Sequence, residues 1–398
     1  MRIAVVQQRY GRDLLGGAET HGALMARLLA RRHDVEIVTT TAGDYQTWTP
    51  AWEPGVEDED GVRIRRFPVT RGRADHWPQV NEILHDGFRQ EEFAELSADA
   101  RAAFLRRIRS WPDGIQEEFI RGQGPIAPGI PAWLREANHD AVLFLTYLYP
   151  TTYDGLMAVD PARASLVPTL HDEPAAYLPV FAQRLARARL LCSTQTEIEL
   201  LDRLHPEAGL TATRLGYGIE LPEDRSEPAA PDAPLLYAGR VDPQKGIPEL
   251  LRWYAGLREL LADPPELVLI GEVLMDLPSI PGLRALGFVS EEEKESQMRN
   301  ALAFVHPSPF ESLGIVILEA LACRTPVLVT ARSDVMREHC ERSGAGLPIR
   351  DAADLAAAVR LLRAPDRRAT LGARGRAWVE AEYGMEAYAE RLLRAFPG

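Results

Sequence analysis

The sequence predicts an α/β protein built from two Rossmann-like domains. Short apolar runs of strand length alternate with helix-length segments along most of the 398 residues. The alternation is interrupted at residues 222–234, which are rich in Pro, Glu, Ala and Asp and are typical of an exposed linker. We therefore expect a first domain over residues 1–218 with a helical insertion at about 71–135, a second domain over residues 219–380, and a C-terminal helix over residues 381–398.

Composition and charge exclude several classes of protein. The formal net charge of −13 argues against nucleic acid as the main partner, because no net positive field attracts phosphates. Cys192, Cys323 and Cys340 are odd in number and have no paired spacing, so neither a disulfide framework nor a zinc site is predicted. The apolar runs are too short for a membrane span or a signal peptide. We expect a cytoplasmic protein that makes at most peripheral contact with the inner face of a membrane.

The strongest chemical signal lies in a strand–loop–helix–strand segment at residues 301–329. Glu311 lies in the loop, and Glu319 lies on a helix that is otherwise almost wholly apolar. The amides at the start of this helix have no helical partners and lie at the positive end of the helix dipole, so a phosphate binds well there.

Two carboxylates on either side of a phosphate describe a site for a nucleotide-sugar. Glu319 lies about two turns into the helix, within reach of the ribose hydroxyls of a molecule whose phosphate occupies the helix start. Glu311 would meet the sugar on the other side of the phosphate. The alternative is that Glu311 caps the helix and Glu319 pairs with a buried arginine.

The loop after a predicted strand at residues 235–239 offers two cations to one anion. Arg240 and Lys245 lie five residues apart across a tight loop at the carboxyl end of the strand. A guanidinium provides a bidentate fork and an ammonium provides a compact charge, which together suit a diphosphate. The alternative is that both are solvated loop charges.

Two features of the first domain point to the carboxyl edge of its sheet. Gly16 and Gly17 open a helix after the first strand, where the lack of a side chain leaves the backbone accessible. A plain N-cap turn explains these glycines equally well. His171 follows a strand at residues 165–170, where a side chain faces the crevice of an open α/β sheet. A structural role is the alternative for this histidine.

Candidate contacts for a second substrate follow another strand of that sheet. The strand at Ala141–Leu145 leads to Tyr147, Tyr149 and Thr151 at the edge where such sheets bind ligands. The insertion adds Gln123, because side-chain amides bind sugar hydroxyls. Helices that only complete the fold are the alternative for the insertion.

The segments that contain these residues resemble the family 4 retaining glycosyltransferases. Glu311 and Glu319 match the E-x7-E element of that family, and GRVDPQKGI matches its diphosphate-binding loop. Many members have Gly-Phe-Gly where this chain has Ser-Leu-Gly before the helix. The resemblance implies the GT-B fold, in which two Rossmann-like domains face each other across an interdomain cleft. It also implies an acceptor-binding first domain, a nucleotide-sugar-binding second domain and a C-terminal helix that crosses back to the first.

The resemblance also implies a role for each candidate residue. His171 would contact the donor sugar near its reacting carbon, Arg240 and Lys245 the diphosphate, and Glu311 the sugar hydroxyls; these four are the expected catalytic residues. Phe288 would lie beside the base. The residues expected to bind the donor are Gly16, Gly17, Phe288, Val289, Ser312, Leu313, Gly314 and Glu319.

The implied activity is the retaining transfer of a hexose from a UDP- or GDP-hexose to an acceptor hydroxyl in glycan, polysaccharide or glycoconjugate biosynthesis. The acceptor would be a glycan, a lipid-linked sugar or a small metabolite. No DxD pair or His/Asp cluster with metal-ligand spacing demands a divalent ion, so we expect neither a metal nor a cofactor. Two other interpretations stay open: a sugar-nucleotide epimerase of the same fold, and a non-catalytic sugar-nucleotide-binding protein, which could dispense with His171.

Overall fold

The structure is a computed structural model that describes residues 1–11, 14, 16–85, 93, 96–224 and 229–397. The chain divides into two compact units. The first contains Met1–Tyr217 and Ala389–Gly398, and the second contains Gly218–Tyr388. Part of the predicted linker, residues 225–228, lies outside the described residues, as does part of the predicted insertion at residues 86–92, 94 and 95.

The first unit is built around a sheet that has eight strands among the described residues. These are β1 Arg2–Val6, β2 Asp34–Thr40, β3 Gly55–Glu59, β4 Val62–Phe67, β5 Ala141–Leu145, β6 Ala164–Val167, β7 Arg189–Cys192 and β8 Ala212–Arg214. Their order is β3-β4-β2-β1-β5-β6-β7-β8, and β3 alone runs antiparallel to its neighbour. The central strands are apolar and buried, as parallel strands are when helices cover both faces.

The helices of the first unit pack against this sheet. They are α1 Gly17–Leu29, α2 Trp77–His85, α3 Ala98–Arg109, α4 Asp113–Gln123, α5 Gly129–Glu136, α6 Pro150–Ala158, α7 Pro179–Leu185 and α8 Gln195–Leu204. Helices α2 to α5 occupy the predicted insertion. Phe104, Phe119 and Ile130 from the insertion belong to the same hydrophobic core as Val142 and Phe144 of β5, so the insertion is part of the unit.

The second unit has a smaller, fully parallel sheet. Its strands are β9 Leu235–Ala238, β10 Leu267–Ile270, β11 Leu283–Gly287, β12 Ala303–His306, β13 Val327–Thr330 and β14 Gly346–Ile349, in the order β11-β10-β9-β12-β13-β14. Its helices are α9 Ile247–Leu260, α10 Glu291–Arg299, α11 Ile315–Ala322, α12 Asp334–Ser343, α13 Ala352–Leu362 and α14 Pro365–Tyr383. Both units therefore have Rossmann-like sheets, as predicted.

Each sheet has a point at which the strand order reverses. In the first unit, β1 lies between β2 and β5; in the second, β9 lies between β10 and β12. At such a point the loops that leave two neighbouring strands diverge, and a crevice opens at the carboxyl ends of the strands. The loops after β1 and β5, and those after β9 and β12, are therefore where each unit can hold a ligand.

The end of the chain returns to the first unit. Helix α15, Met385–Ala395, begins in the second unit after Gly384 and ends in the first. Phe396 is buried there, and Nε2 of His33 lies 3.0 Å from its carbonyl oxygen. Arg189 of β7 donates a hydrogen bond to the carbonyl oxygen of Ala395 at 2.6 Å. These contacts tie the terminus to the first sheet.

Helix α11 starts later than the sequence suggests. The apolar run predicts a start near Leu313, whereas the helix begins at Ile315 with Gly314 as its N-cap. Gly314 has a left-handed backbone with φ of +70°, which ends the preceding loop and which a side chain would disfavour. The amides that can meet a ligand are therefore those of Ile315 and Val316, directly after the predicted Ser-Leu-Gly segment, because the amide of Ile317 donates a hydrogen bond to the carbonyl oxygen of Gly314 at 2.9 Å.

The protein has no helix, in the part of the chain that the structure describes, that is long and apolar enough to cross a membrane.

We expect Leu269→Ala to destabilise the second unit by about 2–5 kcal/mol, because it leaves a cavity in a well-packed core. Leu269 lies in β10 and is fully buried. Urea-induced unfolding followed by circular dichroism measures the loss. Leu361→Ala is the matched control, because Leu361 is 41% exposed on α13 and its truncation should change stability by no more than about 0.5 kcal/mol. Equal losses in the two variants would contradict this description of the core.

Candidate functional site

The carboxyl ends of β9 and β12 bring together Lys245, His306 and Glu311. Nζ of Lys245 lies 2.7 Å from Oε1 of Glu311, and Nε2 of His306 lies 3.3 Å from the same oxygen. The side chain of Glu311 is only 14% exposed, so this pair is largely removed from bulk water. Opposite charges attract more strongly in such a site than on an open surface. The predicted candidates Lys245 and Glu311 are thus direct neighbours.

The partners of Glu311 keep its carboxylate ionised. Burial alone would raise its pKa, but Lys245 and His306 hold the pKa of Glu311 well below its usual range. Nδ1 of His306 is buried and has no hydrogen-bond partner among the described residues. The edge of the second sheet therefore presents a fixed negative charge directly beside an ammonium group.

The two loops that carry this pair touch at a glycine. Gly246 has a φ of +73°, and a Cβ at this position would lie 2.5 Å from the carbonyl oxygen of Pro307. Asp242 stabilises the turn before it by accepting a hydrogen bond from the backbone N–H of Lys245 at 3.0 Å. A larger residue at position 246 would push the loops apart, so the glycine determines how closely Lys245 approaches Glu311.

Arg240 lies in the same loop as Lys245, nearer to solvent. Its side chain is 42% exposed, and its Nε lies 3.6 Å from Oδ2 of Asp242. The hydroxyl of Tyr237 donates a hydrogen bond to the carbonyl oxygen of Arg240 at 2.8 Å, which holds the backbone at the strand exit. Both predicted cations therefore lie at the carboxyl end of β9.

Glu319 lies in the second turn of α11 and is paired, though not with an arginine. Its Oε2 lies 3.0 Å from Nζ of Lys294 on α10. Ahead of the helix, Ser312 and Leu313 complete the loop, and Nε2 of His339 lies 2.6 Å from the carbonyl oxygen of Leu313. The loop is thus fixed by a buried histidine behind it, and the helix start keeps a defined position.

Phe288 and Val289 lie in the loop between β11 and α10. The side chain of Phe288 is 74% exposed, which is unusual for a ring of this size, whereas Val289 is half-buried. Ser290 ends the loop and caps α10 by accepting the N–H of Glu293 at 3.1 Å. The structure therefore places an exposed aromatic face in the loop after β11, a strand that is separated from β9 by β10.

In the first unit, Gly16 is the N-cap of α1 and Gly17 is the first helical residue. An ion pair occupies the space beside them, because Nε of Arg9 lies 2.6 Å from Oε1 of Glu19 and both side chains are buried. A Cβ at Gly16 would lie 2.1 Å from Oε2 of Glu19. A side chain at position 16 would displace the carboxylate of Glu19, so this ion pair by itself favours a glycine there.

His171 lies in the loop after β6 and is half-buried, with its Nδ1 buried and without a hydrogen-bond partner among the described residues. Glu197, near the start of α8, holds this loop. Its Oε1 accepts the N–H of Leu170 at 2.8 Å, and its Oε2 accepts the N–H of Ser193 at 2.6 Å. One buried carboxylate thus links the strand exits of β6 and β7 and positions the backbone next to His171.

The predicted acceptor residues divide into two environments. Tyr147 is buried, and its hydroxyl donates a hydrogen bond to Glu173 at 2.9 Å. Tyr149, by contrast, packs edge-on against Trp48, with 5.2 Å between ring centroids. Nε1 of Trp48 also donates a hydrogen bond to the carbonyl oxygen of Gln123 at 2.6 Å, which brings Gln123 towards Tyr149.

Two polar atoms of the predicted acceptor residues are buried without a hydrogen-bond partner among the described residues. They are Oγ1 of Thr151, at the start of α6, and Oε1 of Gln123. Burial and the charge of Glu19 raise the pKa of Tyr149 to about 12, so its hydroxyl stays protonated and can donate a hydrogen bond. The structure therefore brings Tyr149 and Gln123 together and leaves Tyr147 in the core.

Sequence reasoning missed four residues that shape these sites: His306, Lys294, Glu197 and Trp48. From the sequence, His306 is the first residue of a loop after a predicted strand, and Lys294 is one charge in an acidic helix. Thr194 and Glu197 do form a Thr-x-x-Glu capping pattern, which could have marked Glu197. Trp48 has no comparable sequence signal.

A family model and a whole-chain relative identify the class of protein. The model for "Glycosyl transferases group 1" matches residues 222–378. A phosphatidyl-myo-inositol mannosyltransferase of Mycobacterium leprae is 31% identical over 100% of this chain and 96% of that protein. The chain belongs to the group 1 glycosyltransferases. Its resemblance to the family 4 enzymes is thereby confirmed.

Two further comparisons describe this glycosyltransferase. A phosphatidyl-myo-inositol mannosyltransferase of Propionibacterium freudenreichii is 28% identical over 52% of this chain, and the match spans 56% of that protein. The crystal structure of HepE from Anabaena, in complex with UDP and glucose, superposes with a TM-score of 0.61 at 14% identity and covers 99% of both chains. The glycosyltransferase therefore has the predicted GT-B fold.

We expect Glu197 to contribute a fall in the stability of this glycosyltransferase as the pH rises from about 4.5 to about 7. This contribution opposes the rise in stability from His21 and His205, because burial lowers the pKa of both histidines. Burial raises the pKa of Glu197 from 4.5 to about 7, although the amides of Leu170 and Ser193 favour the ionised form. The folded state thus keeps a proton that the unfolded state has released. This difference lowers the free energy of unfolding by on the order of 3 kcal/mol. Glu197→Gln cannot titrate and should remove this part of the pH dependence.

Urea-induced unfolding at about pH 5 and about pH 7.5 tests this expectation. The free energy of unfolding is measured at both pH values, and its change between them is compared for the wild-type protein and Glu197→Gln. An unchanged difference in Glu197→Gln would show that another group carries the pH dependence.

Proposed function

We propose that this glycosyltransferase is a retaining, metal-independent hexosyltransferase. It transfers a hexose from UDP-hexose or GDP-hexose to an acceptor hydroxyl in the biosynthesis of a glycan or glycoconjugate. The observation that carries the proposal is the buried pair of Lys245 and Glu311, which lies at the strand-order reversal of the second sheet and directly before the start of α11. This arrangement offers a cation, the amides at the start of α11 and a carboxylate to one ligand.

The donor is expected to lie across these groups. Lys245 and Arg240 would hold the diphosphate together with the first-turn amides of α11, and Glu311 would accept hydrogen bonds from the sugar hydroxyls. Glu319 would accept hydrogen bonds from the ribose hydroxyls, and Phe288 offers an exposed face to the base. The nucleotide in HepE supports a nucleoside diphosphate as donor.

In the proposed reaction, the bond between the anomeric carbon and the diphosphate oxygen breaks while a bond from the acceptor oxygen forms on the same face. The acceptor proton passes to the departing phosphate, so the products are the glycoside and the nucleoside diphosphate. Lys245, Arg240 and the helix amides stabilise the charge that develops on the leaving group, and each such donor is typically worth about 10²–10³ in rate.

These groups supply positive charge that a divalent cation supplies in other transferases. Among the described residues, no group of three or more His, Cys, Asp or Glu side chains is arranged to hold a metal ion.

The acceptor is expected at the carboxyl edge of the first sheet. Tyr149 and Gln123 both contact Trp48 there, and Thr151 and Gln123 carry buried polar atoms without a partner among the described residues. Unpaired buried polar atoms favour a polyhydroxylated ligand that can satisfy them. Two of the relatives are named for transfer to phosphatidyl-myo-inositol, which supports an acceptor with a cyclic polyol group.

A thermal-shift screen with UDP and GDP in excess EDTA tests the donor site. At about 100 times its dissociation constant, a nucleotide that binds only the folded state should raise the melting temperature by roughly 5–10 °C. Lys245→Ala and Glu319→Ala should abolish the shift, and Arg284→Ala, a change to an exposed cation on β11, should not. No shift with either nucleotide in the folded wild-type protein would refute the donor-site assignment.

His171→Ala separates catalysis from binding. If His171 acts at the reacting carbon, the variant should retain the nucleotide-induced thermal shift but lose about 10²–10³-fold in kcat for release of UDP or GDP from the sugar-nucleotide. Wild-type protein that binds the nucleotide and turns over no sugar-nucleotide, with or without polyol acceptors, would favour the non-catalytic binding protein instead.

A further inference from the structure

The chain contains 45 lysine and arginine residues, and only Lys245 and Lys294 are lysines. Each of them pairs with one of the two carboxylates of the E-x7-E element. Lys245 lies 2.7 Å from Glu311, and Lys294 lies 3.0 Å from Glu319. Since arginine occupies every other basic position, the retention of lysine at both places singles out Lys294, which the proposed function does not yet use.

An ammonium group differs from a guanidinium in a way that matters beside a ligand. It is a compact point charge with three donors, whereas a guanidinium is a planar fork that occupies both oxygens of a carboxylate. Lys294 contacts Oε2 of Glu319. The lone pairs of Oε1 therefore remain available to hydroxyl groups, which a bidentate arginine would block.

Side-chain burial shows which of the two carboxylate neighbours of Lys294 interacts with it more strongly. Its side chain is 18% exposed, and it also lies 2.7 Å from Glu291, whose side chain is 84% exposed. A pair with such an exposed carboxylate contributes little. Glu319 is 29% exposed, so its pair with Lys294 is the more desolvated of the two. Burial alone would lower the pKa of Lys294, but Glu319 and Glu291 raise it overall, and the group stays charged.

The position of Lys294 connects two parts of the donor site. It lies on α10, which begins directly after the loop that contains Phe288 and Val289. Glu319 lies on α11, which begins at the predicted phosphate site. The ion pair thus joins the helix after the base loop to the helix that follows the phosphate loop, and it does so at the residue expected to meet the ribose.

We propose that Lys294 is a positioning residue of the donor site, which holds Glu319 in the orientation that accepts hydrogen bonds from the vicinal ribose hydroxyls of the donor. The inference rests on the proposed function. Without Lys294, the carboxylate of Glu319 would lose its partner on a helix that is otherwise apolar and would adopt other rotamers. The ribose hydroxyls would then lose their defined acceptor.

The test compares ribose and 2′-deoxyribose nucleotides. Calorimetric titration measures the affinity of wild-type protein and Lys294→Met for UDP and 2′-deoxy-UDP. If GDP is the nucleotide that binds, GDP and 2′-deoxy-GDP are used instead. Wild-type protein should prefer the ribose form by about tenfold or more, because the deoxy form leaves the partly buried carboxylate of Glu319 without one of its donors. Lys294→Met should bind the ribose form about tenfold more weakly and the deoxy form almost unchanged.

Two controls show whether Lys294 acts through Glu319. Glu291→Gln removes the exposed neighbour of Lys294 and should leave both affinities unchanged. In the Glu319→Gln background, Lys294→Met should have little further effect, since its target is already altered. Lys294→Gln keeps a polar side chain and replaces Lys294→Met if the latter does not fold, as judged by its melting temperature without nucleotide.

Each outcome decides a separate question. If Lys294→Met keeps the wild-type preference for ribose, Lys294 only balances charge and the inference is wrong, while the proposed function stands. If the folded wild-type protein binds neither UDP nor GDP, the proposed function fails and the inference fails with it.

Discussion

The ion pair between Lys245 and Glu311 is the interaction on which the ligand edge of the second unit depends. Neither charge could stay in this largely buried place without the other, because an unpaired charge in such surroundings is strongly destabilising. The loops after β9 and β12 must therefore remain in contact, and Gly246 allows that contact by leaving room for the carbonyl oxygen of Pro307. A single pair thus couples the two loops at the point where the strand order of the sheet reverses.

Much of the fold could be predicted from sequence because its central strands are buried on both faces. Such strands, β1, β5 and β12 among them, are short continuous apolar runs that stand out from their surroundings. Strand β3 could not be found in this way. It is exposed along nearly its whole length, reads GVEDE, and exists because it pairs antiparallel with β4. Its conformation depends on a neighbour and not on a pattern of its own.

The candidate site was predictable as a set of positions and not as a set of contacts. Strand exits revealed where Lys245, Glu311 and His171 would lie, because the carboxyl ends of parallel strands share one edge. The partners of these residues depend on packing between segments far apart in sequence, as when Lys294 of α10 meets Glu319 of α11. The start of α11 likewise depends on the left-handed backbone of Gly314, which hydrophobic periodicity does not report.

The return of the chain to the first unit has a consequence for how the protein folds. All eight strands described for the first sheet lie before residue 215, so its framework is synthesised early. Its packing is nevertheless complete only when Phe396 and the carbonyl oxygen of Ala395 reach His33 and Arg189. Contacts that span most of the chain form late and slow the search for the native state. The domain that is made first on the ribosome is therefore the one that is finished last, after the entire second domain has emerged.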